Sequence, residues 1–309
     1  MDGTKKLTEL DIAKGIAIIA VVLGHSFPDA DYGISNELAN FIHSFVYGFH
    51  MPVFFFIAGL LSAKHRFDEP IPYIRKRARK LLVPYFGLSM VGLVLKQIFA
   101  SEANHAFSIS DSWKILLGQS PMGGMWYLWT LFVMSLVFIL ITRFIEDDWT
   151  LLLFGLIFHL IYLRGDTTFM HNFTNFFVYF VLGVACKEMY PKFRELDHKS
   201  ILCLSFIAYY LSIRYEIPVL IKGVLGIVMV ISVSHLIKSE LLIDMGQRSY
   251  GIYLISYFIA IPIRVICYQK LSMNYWIVTT LMFIGGLFIP YILSVLCEKY
   301  HQKHSMDLF

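Results

Sequence analysis

Lys14 and His25 stand eleven residues apart in the stretch Leu10-Asp11-Ile12-Ala13-Lys14 through Val22-Leu23-Gly24-His25-Ser26. On a helix turning ~100° per residue they fall within about 20° of one face, separated by roughly 16 Å of rise. Ionisable groups in a membrane span are costly and face a bundle interior or an aqueous cavity, so a cation and an imidazole on one such face could hold or move protons. The plainer reading is that Lys14 reaches the inner headgroups and His25 makes one buried hydrogen bond. Spacing alone leaves both open.

Four further groups invite the same question. His43 and His50 are seven residues apart, about two turns, and so share a face. A zinc site of His25, His43 and His50 would need tight ligand spacing or a carboxylate companion; neither is present, so a polar pocket is expected and no metal. Pro52 is expected to bend this helix and free a carbonyl near His50, and His50 capping that kink is the bland alternative. The run Arg75-Lys76-Arg77-Ala78-Arg79-Lys80 reads as a basic loop, either meeting anionic lipid headgroups or clamping phosphate through guanidinium forks. Trp126 and Tyr127, after Gly123-Gly124-Met125, suit an interfacial aromatic belt or the lining of a cavity. Gly246 to Leu254 reads as a polar helix start on the cytoplasmic side.

The elements that position these groups are membrane helices. Of 309 residues 57% are hydrophobic and only 16% charged, where a soluble domain carries about a quarter charged. Soluble enzymes, disulfide-stapled secreted domains and disordered adaptors are excluded, and strict polar alternation suited to a barrel is missing. Apolar runs measured against a hydrocarbon core of ~30 Å give an all-α, polytopic bundle of about ten spans. They lie near Asp11–Phe27, Phe41–Ser62, Leu81–Phe99, Trp126–Thr142, Trp149–Leu163, Phe173–Met189, Ser200–Ile213, Ile217–Ile237, Tyr250–Tyr268 and Asn274–Cys297. The loops leave no room for a soluble domain, so 1–309 reads as one transmembrane domain. Basic residues such as Lys5, Lys6 and the Arg75–Lys80 run collect on one side, while the loop from Pro28 to Asn40 has no Lys or Arg. By the positive-inside rule both termini are expected in the cytoplasm. The net charge of +4 therefore calls for no nucleic acid. The first apolar run contains Asp11 and Lys14 and lacks a cleavage signature, so it is expected to stay in the mature protein. Cys186, Cys203, Cys267 and Cys297, unpaired in spacing, read as small buried hydrophobes.

These motifs, in their order, resemble the acyltransferase-3 family. Leu10-Asp11 with Lys14-Gly15-Ile16 and Leu23-Gly24-His25 resembles its first-helix signature, a basic residue and a His with ten residues between them. Phe49-His50-Met51-Pro52 to Gly59, the basic run into Leu81-Leu82-Val83-Pro84-Tyr85, Trp126-Tyr127-Leu128 and Ser249-Tyr250-Gly251-Ile252-Tyr253-Leu254 follow in sequence. The resemblance covers nearly the whole chain and is nearest to the stand-alone sugar O-acetylase branch. It implies transfer of an acetyl or other short acyl group from cytoplasmic acetyl-CoA to a hydroxyl of a cell-envelope glycan or glycolipid, by a multi-pass protein of a bacterial inner or plasma membrane. On this resemblance His25 is catalytic with Lys14 its basic partner, and Arg75, Arg77, Arg79 and Lys80 hold the CoA phosphates. Asp11, Ser26, His50, Trp126 and Tyr127 are then candidates for the substrate pocket. The family often has a His after the Tyr-Leu of its late motif, where this chain has Ile255-Ser256. A sugar hydroxyl is a poor nucleophile at neutral pH, and a neutral His within reach can take its proton as it attacks a thioester. Ser26, Tyr47 and Trp126 are candidate donors to the oxyanion, and an acetyl-His25 intermediate is an alternative route. Two rivals remain: a transporter or flippase of a glycan precursor, which calls for repeat symmetry not evident here, and a glycosyltransferase with a metal on Asp29-Ala30-Asp31.

Overall fold

The computed structural model describes residues 7–30, 33–98, 107–163 and 170–306. Asp31, Lys5, Lys6, Arg164 and the end of the third expected span at Phe99 lie outside the described residues. Among the described residues every regular element is a helix. The chain divides into two compact units: one built from Met1–Phe54 and Asp197–Phe309, the other from Phe55–Leu196.

In the first unit α1 (Thr8–Gly24) packs against α2 (Glu37–Tyr47), α10 (Val219–Leu236), α11 (Glu240–Gln247), α12 (Ser249–Ile263) and α13 (Tyr275–Met306). α9 (His198–Arg214) lies along α10, and α12 along α13. The approach of α1 to α11 is close enough to need glycine on both sides. A Cβ at Gly246 would overlap the Asp11 carbonyl, and one at Gly15 would overlap the carbonyl of Leu242. Small residues that let backbones touch are the ordinary means of close helix packing in a membrane. Local signals set the helix starts: Asn36 accepts from the Ala39 N–H at 3.1 Å to open α2, Asp197 caps α9, and Ser239 caps α11.

Between α2 and α3 (His50–Ser62) the helix breaks at Gly48 and Phe49. The kink expected at Pro52 is thus displaced to the turn before it. Pro52 sits in the first turn of α3, where a helix needs no N–H from it. The break frees carbonyls, and two of them find side-chain donors: the Tyr209 hydroxyl donates to Phe45, and the His50 ring donates from Nδ1 to Val46 at 2.7 Å. Gly48 leaves room for the Tyr209 hydroxyl.

The second unit contains α4 (Pro70–Ile98), α5 (Trp126–Ile141), α6 (Asp148–Leu163), α7 (His171–Ala185) and the short α8 (Tyr190–Phe193). α4 packs on α5, and α7 packs on both α5 and α6. Where α3 continues into this unit, Gly59 and Gly183 let its backbone touch that of α7 at Phe180 and Phe56. Arg66 pairs with Asp148 and donates to the Ile145 carbonyl at 3.0 Å, fastening the turn after α3 to the start of α6. Asp147 opens α6, and its carboxyl is held below the usual range by the Thr150 backbone N–H at 2.7 Å and the Thr150 hydroxyl at 2.8 Å.

Two expectations need correction. The Arg75–Lys80 run is no loop: it forms part of α4, which starts at Pro70 and runs unbroken to Ile98. Arg, Lys, Ala and Leu are all good helix formers, and charge density says nothing against a helix with one face in solvent. Nor are the cysteines buried. Cys203 and Cys297 are exposed, Cys186 and Cys267 half-buried, and all four are free thiols. On a lipid-facing helix surface a small apolar side chain needs no protein cover.

Among the described residues six helical segments are long and apolar enough to cross a membrane: Glu37–His65, Pro70–Ile98, Gly123–Ile141, Val219–Leu236, Ser249–Lys270 and Tyr275–Tyr300. The other four expected spans fall on α1, α6, α7 and α9, helices of 17, 16, 15 and 17 residues. At 1.5 Å per residue these reach about 22–26 Å, less than the ~30 Å core. Outward faces carry large apolar residues where a soluble protein would be polar, such as Val83 (66% exposed) on α4 and Leu204 (70%) on α9.

Candidate functional site

His25 occupies the end of α1, its N–H bonded to the Val21 carbonyl at 3.1 Å. Its ring is half-buried among aromatics. The Tyr47 hydroxyl lies 3.1 Å from His25 Nδ1, and the rings of Tyr47 and Tyr257 meet it edge-on, each with centroids 5.5 Å away. Gly24 makes this possible, because a Cβ there would stand 2.7 Å from the Tyr47 ring. His43 stacks on the other side of Tyr47 at 3.9 Å, and His50 meets Tyr47 edge-on at 4.8 Å. The three imidazoles are therefore linked through one tyrosine and not through a shared cation site. Among the described residues no group of three His, Cys, Asp or Glu is placed to hold a metal ion.

At the other end of α1 the Lys14 ammonium pairs with Asp11 at 2.7 Å, one turn back on the same helix. Gln247 Nε2 donates to the second oxygen of Asp11 at 3.1 Å, so α11 holds the pair in place. Ser26 is fully buried and donates its proton to the Val22 carbonyl at 2.6 Å, which commits its only donor to its own helix. Asp29 is held as a loop anchor: its carboxylate accepts from the Tyr275 hydroxyl at 2.8 Å and from Ser35 N–H and hydroxyl at 3.1 Å each. Arg248, at the start of α12, binds Asp244 at 2.9 Å and Glu298 at 2.6 Å, and the Tyr291 hydroxyl adds a bond to Asp244 at 2.7 Å. Burial pushes the Asp244 carboxyl up, but the Arg248 and Tyr291 hydrogen bonds outweigh it and hold the group below the carboxylate range.

In the second unit the basic run divides by helical angle. Arg75, Lys76, Arg79 and Lys80 span about 140° of the α4 surface and are exposed, while Arg77 falls outside that arc. Arg77 is half-buried: it donates to Ser62 at 2.8 Å and to the Tyr73 hydroxyl at 3.2 Å, with its guanidinium 5.3 Å over the Tyr73 ring. Four of the five cations are thus presented outward, and Arg77 secures the helix that carries them. Trp126 stacks on Phe176 at 5.4 Å, and Tyr127 meets Phe55 edge-on at 5.1 Å, in an aromatic cluster at the start of α5.

Sequence reasoning did not foresee Tyr47 as the direct partner of His25, nor a buried arginine, Arg264, lining the same small cavity as His25. The signal for Arg264 is present in the sequence: an arginine inside an apolar run.

The fold is helical and polytopic, with ionisable groups along its first helix that are ion-paired or held by aromatics. The acyltransferase-3 family model, described as an acyltransferase domain, matches residues 7–295, and the chain belongs to that family. It is an acyl-transferring enzyme of the multi-pass membrane type. No curated protein and no solved structure matches the chain.

Proposed function

We propose that this acyltransferase moves an acetyl group from cytoplasmic acetyl-CoA to a hydroxyl of a cell-envelope glycan or glycolipid, with His25 as general base. The observation that carries the reading is the 3.1 Å contact between Tyr47 and His25 Nδ1. With Nδ1–H donating to the Tyr47 oxygen, the lone pair of Nε2 is left for a proton, which is the tautomer a base requires. The hydroxyl attacks the thioester carbonyl as Nε2 removes its proton, and the imidazolium then returns a proton to the departing thiolate.

Arg75, Arg79 and Lys80 suit the CoA phosphates, since guanidinium forks pair bidentately with phosphate oxygens. Arg77 supports them through its hold on Ser62 and Tyr73. Lys14, about three turns from His25, acts as the basic partner at the inner end of α1 through its pair with Asp11. His50, Trp126 and Tyr127 shape their surroundings by ring packing, and Ser26 by its hydrogen bond to the Val22 carbonyl. Both termini lie in the cytoplasm in this reading, which places the basic run on the donor side.

Mass spectrometry of envelope glycans from cells with and without the gene tests the reaction. An acetyl mass increment present only with the gene, and lost in His25→Gln, is the expected result. Identical glycan spectra from the two strains would overturn it.

A further inference from the structure

His25 borders a cavity of about 20 Å³ in the first unit. Its polar wall is His25, Tyr257 and Arg264, and its apolar wall includes Phe27, Ile261 and Met282. That volume suits one water-sized group and no sugar ring. Arg264 is only 8% exposed, although it lies within an apolar span where a charge is costly. Lys270, in the same segment, is exposed, as expected of a residue that anchors a helix end at a headgroup layer. Arg264 is turned the other way. The backbone changes at this residue: α12 ends at Ile263, just after Pro262, and a seven-residue π turn runs from Arg264 to Lys270. Such π turns are rare and concentrate at functional sites, where the altered winding re-aims a side chain.

We propose that Arg264 is a second catalytic residue, whose guanidinium N–H groups hold the carbonyl oxygen of the transferring acyl group in this cavity. The inference rests on the reading of His25 as base. The acceptor O–H oxygen forms the new C–O bond while its proton passes to His25 Nε2. The carbonyl π pair moves onto oxygen, and the oxyanion sits against Arg264. Collapse restores the C=O bond and breaks the C–S bond, and the thiolate takes the proton from the imidazolium, giving an ester and free CoA thiol. Lys14 is too far along α1 for this role, and the Ser26 proton is committed to Val22. A fixed donor aimed at developing charge in a water-poor site is the arrangement that accelerates acyl transfer most.

The test follows radiolabelled acetyl-CoA into the endogenous acceptor in membranes holding the full-length protein, with abundance read by immunoblot. Arg264→Gln is expected to lower kcat by about 10²–10³-fold with little change in KM for acetyl-CoA. Arg264→Lys keeps the charge without the fork and is expected to retain an intermediate rate. Ala260→Leu, which fills the cavity and leaves both ionisable groups in place, is expected to lower kcat as well. Near-normal kcat in Arg264→Gln, or a raised KM with kcat unchanged, overturns the proposal. If Arg264→Gln fails to accumulate, full activity in Ala260→Leu overturns it. His25→Gln is measured in parallel. An inactive His25→Gln beside an active Arg264→Gln removes only Arg264, whereas an active His25→Gln removes the His25 reading and this proposal together.

Discussion

Replacing Tyr47 with Phe deletes one oxygen and leaves the ring. The ring contacts that Tyr47 makes with His25, His43 and His50 do not involve that oxygen, and neither does its packing over Gly24. The variant should accumulate normally. What disappears is the 3.1 Å bond to Nδ1, which holds the ring angle of His25 and, in the proposed mechanism, favours the Nδ1–H tautomer. An intramolecular hydrogen bond is typically worth about 0.5–1.5 kcal/mol, and at 1.36 kcal/mol per decade this becomes about a 2- to 13-fold fall in kcat. The assay is initial rate of acetyl transfer from labelled acetyl-CoA in membranes, at saturating donor, scaled to protein abundance. Tyr47→Ala, which removes the stacking surface as well, should fall further and lose stability. A Tyr47→Phe enzyme with the wild-type kcat refutes the orienting role of the hydroxyl. A loss beyond a thousandfold refutes it in the other direction, because the hydroxyl would then be taking part in the chemistry.

His25→Gln should lower acetyl transfer by about 10²–10⁴-fold, the usual worth of a general base, while His43→Ala retains more activity; rates per mole of inserted protein decide it. The double variant Arg75→Gln with Arg79→Gln should raise KM for acetyl-CoA without changing abundance, and Lys at both positions should restore part of the affinity. Arg77→Gln should instead reduce thermal stability, by about 1–3 kcal/mol, because it loses a charged hydrogen bond to Ser62; a melting curve in detergent separates the two effects. Gly246→Ala pushes a methyl into the Asp11 backbone and should destabilise by at least about 1–3 kcal/mol, whereas Gly87→Ala, with open space around it, should melt at or above the wild-type temperature.

The helical class was legible because apolar runs of near-membrane length have few other uses: nine of the ten expected spans each fall on a helix, and Phe41–Ser62 straddles α2 and α3. Their length was less legible. Four are too short by length alone, since an apolar run marks where a helix is and not where its caps fall. The shared face of Lys14 and His25 followed from period alone. Their partners did not, with one exception: Asp11 and Lys14 stand one turn apart, so their ion pair could have been read. Tyr47 reaches His25 from another helix across a loop, and Gln247 reaches Asp11 from 236 residues away. The basic run was misread as a loop because charge density masks helix propensity when no period is visible. Arg264 does not stand out in the sequence because what marks it is its burial, and an arginine near the end of an apolar run is as easily read as a helix-end anchor.

Because the first unit is made from both ends of the described chain, α1 is synthesised long before the helix that grips it. Residues 25–239 separate α1 from α11, which at 5–20 residues per second takes on the order of 10–40 s. Through that interval α1 must sit in or beside the bilayer without Gln247, Gly246 or the α12 surface. A bare ammonium there would pull the segment back toward water. The Asp11–Lys14 pair lies within a single turn and needs nothing from elsewhere in the chain, so the segment carries its own counterion into the membrane from the moment it coils. The pair is complete within α1, and α11 only takes hold of it later.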